Sequence, residues 1–102
     1  MKRRGLHRRY GRSHEARLAA LPSSFERGWI KAIGLFKSGL TLALITHKAD
    51  KEWQSQAFDY SRGMVASVEA MDGRLEVARR EARAHGVPDR TMEMLISHAR
   101  AV

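Results

Sequence analysis

Residues 51–85 read KEWQSQAFDYSRGMVASVEAMDGRLEVARREARAH, and within them Trp53, Ala57, Tyr60, Met64, Val68, Met71, Leu75, Ala78 and Ala82 recur at steps of three and four. That spacing marks one face of an α-helix. Asp50 is a good N-cap ahead of the stretch, and Gly86 and Pro88 are stop signals behind it. The expectation is a single rod from Lys51 to His85, about 52 Å long. Phe58 and Val65 widen its apolar face. Gly63, Ser67 and Ala70 form a strip of small residues along which another helix could approach closely. The opposite face carries Glu69, Asp72, Glu76, Arg79, Arg80, Glu81 and Arg83, which reads as a solvated surface with a favourable Glu76–Arg80 pair one turn apart.

Upstream, Ser23-Ser24-Phe25-Glu26 is a capping box, a serine followed three residues later by a glutamate. Phe25, Trp29, Ile33, Phe36, Leu40, Ala43 or Leu44, and His47 then continue at helical spacing, which predicts a second long helix. Gly28, Gly34 and Gly39 each weaken it by about 1 kcal/mol relative to alanine. A strand over residues 40–46 is the competing reading, because a short apolar run does not declare its period. Ser13 is placed to cap a short helix from His14 to Leu21, which Pro22 ends. Asp89 is placed to cap a last helix reaching Ala101, with Met92, Leu95, Ile96, Ala99 and Val102 on one face.

The expected fold is therefore all-α: an antiparallel pair of long helices (an αα-hairpin) turning at His47–Asp50, with two short flanking helices. Residues 1–12 are expected to be a disordered basic arm, and residues 13–102 a small helical domain. Trp53, Tyr60, Met64, Val68, Met71 and Leu75 are the expected helix–helix interface. The second rod would outrun the first by about three turns. That overhang predicts self-association or a host protein as its cover, as in other domains too small to complete a core alone.

The charge is concentrated at the start of the chain. Lys2, Arg3, Arg4, Arg8, Arg9, Arg12 and Arg17 face one acid, Glu15, in the first seventeen residues, while the whole chain carries a net charge of +8. A segment so basic and so poor in apolar groups cannot bury itself and calls for a polyanion or water. Arginine grips phosphate with a planar fork, and Tyr10 can stack on an unpaired base. Gly5 and Gly11 let the backbone follow a groove. These features point to nucleic acid held mainly through its backbone by Lys2, Arg3, Arg4, Arg8, Arg9, Tyr10, Arg12 and Arg17. His7 and His14 add conditional charge. A solubilising tail or an import signal is the plainer alternative. No apolar stretch follows Lys2-Arg3-Arg4, as a secretory signal would require, and no apolar run approaches the ~20 residues of a membrane span.

Catalytic chemistry has little to stand on. The chain has no cysteine, which removes disulfides, thiol redox chemistry and thiolate metal sites. The five histidines form no metal-binding or triad spacing. Gly34 to Gly39 lacks the Gly-Lys-Ser/Thr ending of a phosphate loop. No catalytic residue, metal site or cofactor is assigned, and the chain is expected not to be an enzyme. A helix-turn-helix over the Gly86–Asp89 turn is disfavoured, because Asp89 and Glu93 at the start of the last helix would face phosphates.

The opening Met1-Lys2-Arg3-Arg4-Gly5-Leu6-His7-Arg8-Arg9-Tyr10-Gly11-Arg12 resembles the basic arms of small DNA-associated virion proteins of tailless single-stranded DNA phages, the microviruses. Phe58-Asp59-Tyr60-Ser61-Arg62-Gly63-Met64-Val65-Ala66 is similar to a helix found in small phage-encoded proteins. The body after the arm departs from the shortest, almost wholly basic members. The resemblance implies a protein of the virion interior or cytoplasm, with single-stranded DNA on its arm and itself or a capsid protein on its body. Two alternatives remain: a helical adaptor with a solubilising tail, and a peripheral protein laying Trp29 to Ile45, with Lys31 and Lys37, on an anionic membrane.

Overall fold

The computed structural model describes residues 23–55 and 58–102, without the side chains of residues 53–55. These residues form five helices and no strand: α1 (Ser24–Lys37), α2 (Leu42–Ser55), α3 (Phe58–Met71), α4 (Leu75–Ala84) and α5 (Asp89–Arg100). The all-helical expectation holds, but each expected long helix is cut by a turn. The arm, the 14–21 helix and the side chain of Trp53 lie outside the described residues.

Three glycines close α1, α3 and α4. After α1, the Gly39 N–H donates to Phe36 O at 3.0 Å and the Leu40 N–H to Leu35 O at 3.1 Å. After α3, Gly73 donates to Ala70 O and Arg74 to Glu69 O; after α4, Gly86 donates to Arg83 O and Val87 to Ala82 O. All three are Schellman closures, in which a residue with positive φ reverses the chain and satisfies the last carbonyls. Gly39, Gly73 and Gly86 have φ of 108°, 88° and 78°, a region in which a Cβ is strained.

Several expectations are thereby corrected. The helix expected to run through to His47 stops at Lys37. The expected connection at His47–Asp50 is helical, and Asp50 lies inside α2 rather than capping a new helix. The strand alternative at 40–46 fails too, because Leu42 already begins α2, with Thr41 Oγ1 accepting the Leu44 N–H at 3.2 Å. The 51–85 rod is divided twice: Lys51 lies in α2, which ends at Ser55, α3 runs from Phe58 to Met71, and α4 begins at Leu75. No overhang is left uncovered, since Ala78 and Ala82 are fully buried. Asp89 is the first residue of α5 rather than its cap, which is Pro88. Val102 and Phe58, expected on apolar faces, are 40% and 54% exposed.

The capping box at Ser23 is formed: its Oγ accepts the Glu26 N–H at 3.3 Å and its hydroxyl donates to Glu26 Oε2 at 3.1 Å. From there α1 runs through the middle of the fold. Phe25, Trp29 and Ile33 pack with Ala66 and Ala70 of α3, Ala78 and Ala82 of α4, and Met92, Leu95, Ile96 and Ala99 of α5. On its other side, Ala32 packs with Ile45 and Ala49 of α2 and Met64 of α3. The Trp29 indole N–H donates to Leu95 O at 3.0 Å, tying α1 to α5. Ser61 donates to Ala49 O at 2.9 Å, tying α3 to α2.

The α1–α3 contact is the closest in the fold. A Cβ on Gly28 would strike the carbonyl of Tyr60, and one on Gly63 would strike the carbonyl of Phe25. The pairings 28–60 and 25–63 run in opposite chain directions, so the helices cross antiparallel. The strip of Gly63, Ser67 and Ala70 is indeed where a neighbouring helix comes close, and all three residues are buried.

Ser67 Oγ is fully buried and has no hydrogen-bond partner among the described residues. An unpaired hydroxyl in an apolar setting costs about 1–3 kcal/mol. Ser67→Ala is therefore expected to raise the unfolding free energy by about 1 kcal/mol, read as a shift of the urea midpoint. A loss of stability would show that the hydroxyl is bonded after all.

Candidate nucleic-acid interface

The cations of the described residues fall into two groups. Along α3, α4 and the turn between them, four arginines are held by acids, while Arg80, Arg90 and Arg100 are exposed and stand in no ion pair among the described residues. Arg62 meets Glu81 at 3.0 Å, Arg74 meets Asp72 at 3.3 Å, and Arg83 meets Asp89 at 3.6 Å. Arg79 bonds Glu76 at 2.8 Å and Glu93 at 3.0 Å. Glu76 thus reaches Arg79 rather than the expected Arg80. Donating hydrogen bonds to Glu93 and Glu76 raises the Arg79 guanidinium further above its already high range, and accepting from Arg79 holds Glu93 below the usual carboxylate range. This side of the fold reads as a solvated, neutral surface.

The side made by α1 and α2 differs. Arg27, Lys31, Lys37, Lys48 and Lys51 are all exposed. Arg27 reaches Ser24 Oγ at 3.4 Å, and none of the five stands in an ion pair among the described residues. Arg27 and Glu52 both act on the half-buried Tyr60: burial raises the phenol, Glu52 adds to the rise, and Arg27 opposes it. Gly28 lies against the Tyr60 carbonyl and Ala49 O accepts the neighbouring Ser61 hydroxyl, so the first half of α1 and the second half of α2 both lie beside the start of α3.

The eight residues assigned to nucleic-acid contact in the sequence, Lys2, Arg3, Arg4, Arg8, Arg9, Tyr10, Arg12 and Arg17, lie outside the described residues. Of the assigned interface, Met64 is fully buried, while Tyr60, Val68, Met71 and Leu75 are half-buried against the core. Sequence reasoning missed Gly28 as a contact residue, reading it only as a weak point in a helix. It also missed that the helices carrying exposed Arg27 and Lys31 and exposed Lys48 and Lys51 would touch. The i,i+4 pair Arg27–Lys31 and the i,i+3 pair Lys48–Lys51 were the available signal.

His85, at the C-terminus of α4, stacks on Phe25 with ring centroids 5.0 Å apart, and its Nδ1 lies 2.8 Å from Asp59 Oδ1. The pair ties the end of α4 to the start of α3, a structural role. Two open grooves lie among the described residues. One, of about 340 Å³, is lined by Arg79, Glu93, Ile96, Ser97, Arg100 and Ala101. The other, of about 440 Å³, is lined by Asp50, Phe58, Ser61, Arg62 and Val65. Arg79 in the first and Arg62 in the second are already paired with carboxylates, Glu93 and Glu81, while Arg100 of the first stands in no ion pair among the described residues. Among the described residues, no group of His, Asp and Glu side chains is placed to hold a metal ion. No helix there is long and apolar enough to cross a membrane. No family model, no curated protein and no solved structure matches this chain.

Proposed function

We propose that this chain is a non-enzymatic, nucleic-acid-associated protein whose basic segment 2–17 grips the phosphate backbone of single-stranded DNA. The helical body serves as the folded carrier of that segment, and the whole acts as a packaging or structural component of a virion interior. One observation carries the reading: seven bases against one acid in the first seventeen residues, attached to a body with only +2 of the total +8. Such an arrangement concentrates polyanion affinity at one end of a small domain.

The membrane alternative loses most of its apolar face. Within Trp29–Ile45, the residues Trp29, Ala32, Ile33 and Ile45 are buried in the core, leaving Ile30 and Leu44 as the outward large apolar groups. The sequence argument for self-association loses its premise as well, since no helix overhang remains. Ile30, Leu44, Phe58 and Met94, each about half exposed, are what the described part of the body offers a second copy or a capsid protein.

Binding to a labelled single-stranded oligonucleotide tests the proposal. With about six phosphates contacted, log K against log salt should slope near −4 on single strands and near −5 on duplex. Deleting residues 1–12 should remove most of the affinity and leave the helical circular dichroism almost unchanged. Binding to anionic liposomes without binding to DNA would sink the proposal.

A further inference from the structure

We propose that the flank shared by α1 and α2, with Arg27, Lys31, Lys48 and Lys51, is a second phosphate-binding surface, across which the strand held by segment 2–17 continues. The inference rests on the nucleic-acid reading above and adds a site on the folded body.

Two contacts and one shared electrostatic influence set the geometry. Gly28 of α1 lies against the Tyr60 carbonyl, Ala49 of α2 accepts the Ser61 hydroxyl, and Arg27 and Glu52 both act on Tyr60. The Arg27 level of α1 and the Ala49–Glu52 level of α2 therefore meet at one height on α3. In a helix, neighbouring residues point about 100° to either side of a given position. Next to buried Ala49, Asp50 turns toward the groove with Phe58 and Arg62 of α3, so Lys48 turns the other way, toward α1. Next to buried Gly28 and Ala32, Trp29 and Ile33 turn toward the α4–α5 core, so Arg27 and Lys31 turn toward α2. Lys51 completes the group from the outer face of α2, where it is exposed.

Charge and tethering choose the occupant. Glu52 is the acid that meets this flank, and Lys31, Lys48 and Lys51 stand in no ion pair among the described residues. Residues 58–102, by contrast, carry seven bases against seven acids, with Arg62, Arg74, Arg79 and Arg83 in ion pairs, whereas residues 23–55 carry five bases against three acids. The cations here span two neighbouring helices, with axes typically 8–10 Å apart, which suits an extended chain of phosphates better than a single small anion. Arg17 is joined to the N-cap Ser23 by so few residues that its reach from α1 is at most about 20 Å. A strand gripped by the basic segment is thus delivered to the end of α1 that bears Arg27 and Lys31.

The test compares the full chain with Lys31→Gln/Lys48→Gln/Lys51→Gln, using oligo(dT) across a salt series. Three lost contacts on a single strand should flatten the log–log slope by about 2 and weaken binding at least tenfold at low salt. The charge-matched control Arg80→Gln/Arg90→Gln/Arg100→Gln, at exposed positions of α4 and α5, should leave the slope unchanged. Wild-type binding with no change in the lysine variant overturns the surface while sparing the arm. Equal losses in both variants overturn it too, by reducing the effect to net charge. No binding by the wild type overturns the nucleic-acid reading itself. Lysine acetylation of the unmodified protein gives an independent readout: oligonucleotide should protect Lys31, Lys48 and Lys51, and unaltered reactivity at all three would reject the surface.

Discussion

Gly63→Ala is expected to destabilise the protein by about 3 kcal/mol, the upper end of the cost of overpacking. The same substitution at Gly34 is expected to stabilise it by up to about 1 kcal/mol, the difference in helix propensity between glycine and alanine. Both positions lie within helices, so propensity favours alanine at each. The sign is decided by what the new methyl group meets. At Gly34 nothing lies within 4 Å. At Gly63 the methyl would collide with the Phe25 carbonyl oxygen and stand 2.8 Å from its carbon and 3.1 Å from its Cα. These are backbone atoms of α1, so no side-chain rotation relieves the overlap and the helices must separate. Separation would loosen Phe25 and Trp29, which fill the space beside the crossing. Gly28→Ala should behave like Gly63→Ala, because its methyl meets the Tyr60 carbonyl carbon at 2.8 Å and Met64 N at 3.2 Å. Urea unfolding followed by circular dichroism measures all three. A gain in stability at Gly63 would mean that α1 and α3 lie farther apart than described.

The crossing also shows what the sequence made legible. The small strip Gly63-Ser67-Ala70 announced a close helix approach, because absent side chains have few other uses on a buried face. The capping box at Ser23 and the stop at Gly86–Pro88 were equally readable, since each depends on a few adjacent residues. The break between Ser55 and Phe58 was not, nor were those at Gly39 and Gly73. A Schellman turn there costs the chain only a few residues, and the apolar stripe resumes with its phase nearly intact: Met71 and Leu75 are four apart on either side of the Gly73 turn. Periodicity therefore ran straight through a place where the backbone reverses. Asp50 misled for a related reason. It is a good cap in isolation, but α2 had already begun at Leu42, and an acid on the exposed side of a helix interior is unremarkable.

Charge was legible to different depths. Seven bases in the first seventeen residues are visible by counting, because they are contiguous. The flank of Arg27, Lys31, Lys48 and Lys51 is not, because its members are spread over two helices and join only when the Gly39 turn folds α2 back beside α1. The neutral character of the other side was hidden in the same way: Arg79 and Glu93, fourteen positions apart, pair only because α5 returns along α4.

Trp29→Ala should be among the most damaging substitutions in the body, with an expected cost of about 3–5 kcal/mol. For a domain of this size that lowers the melting temperature by roughly 15–30 °C, and it removes much of a stability expected to be about 5–10 kcal/mol. Trp29 has no exposed surface. Its ring lies in the cluster that brings α1, α3, α4 and α5 together, and its N–H bonds a carbonyl 66 positions away. Much of that cluster is lined by Ala66, Ala70, Ala78, Ala82 and Ala99, whose methyl groups cannot reach into the space. Trp29→Phe separates the two contributions. It keeps most of the ring volume but leaves Leu95 O without the indole donor, so its cost should fall nearer 1–2 kcal/mol, within the range for one lost buried hydrogen bond and a smaller ring. Thermal melts of both variants in moderate salt give the comparison. If Trp29→Ala cost less than about 1 kcal/mol, α5 could not be seated on α1 as described, and the core would have to close some other way.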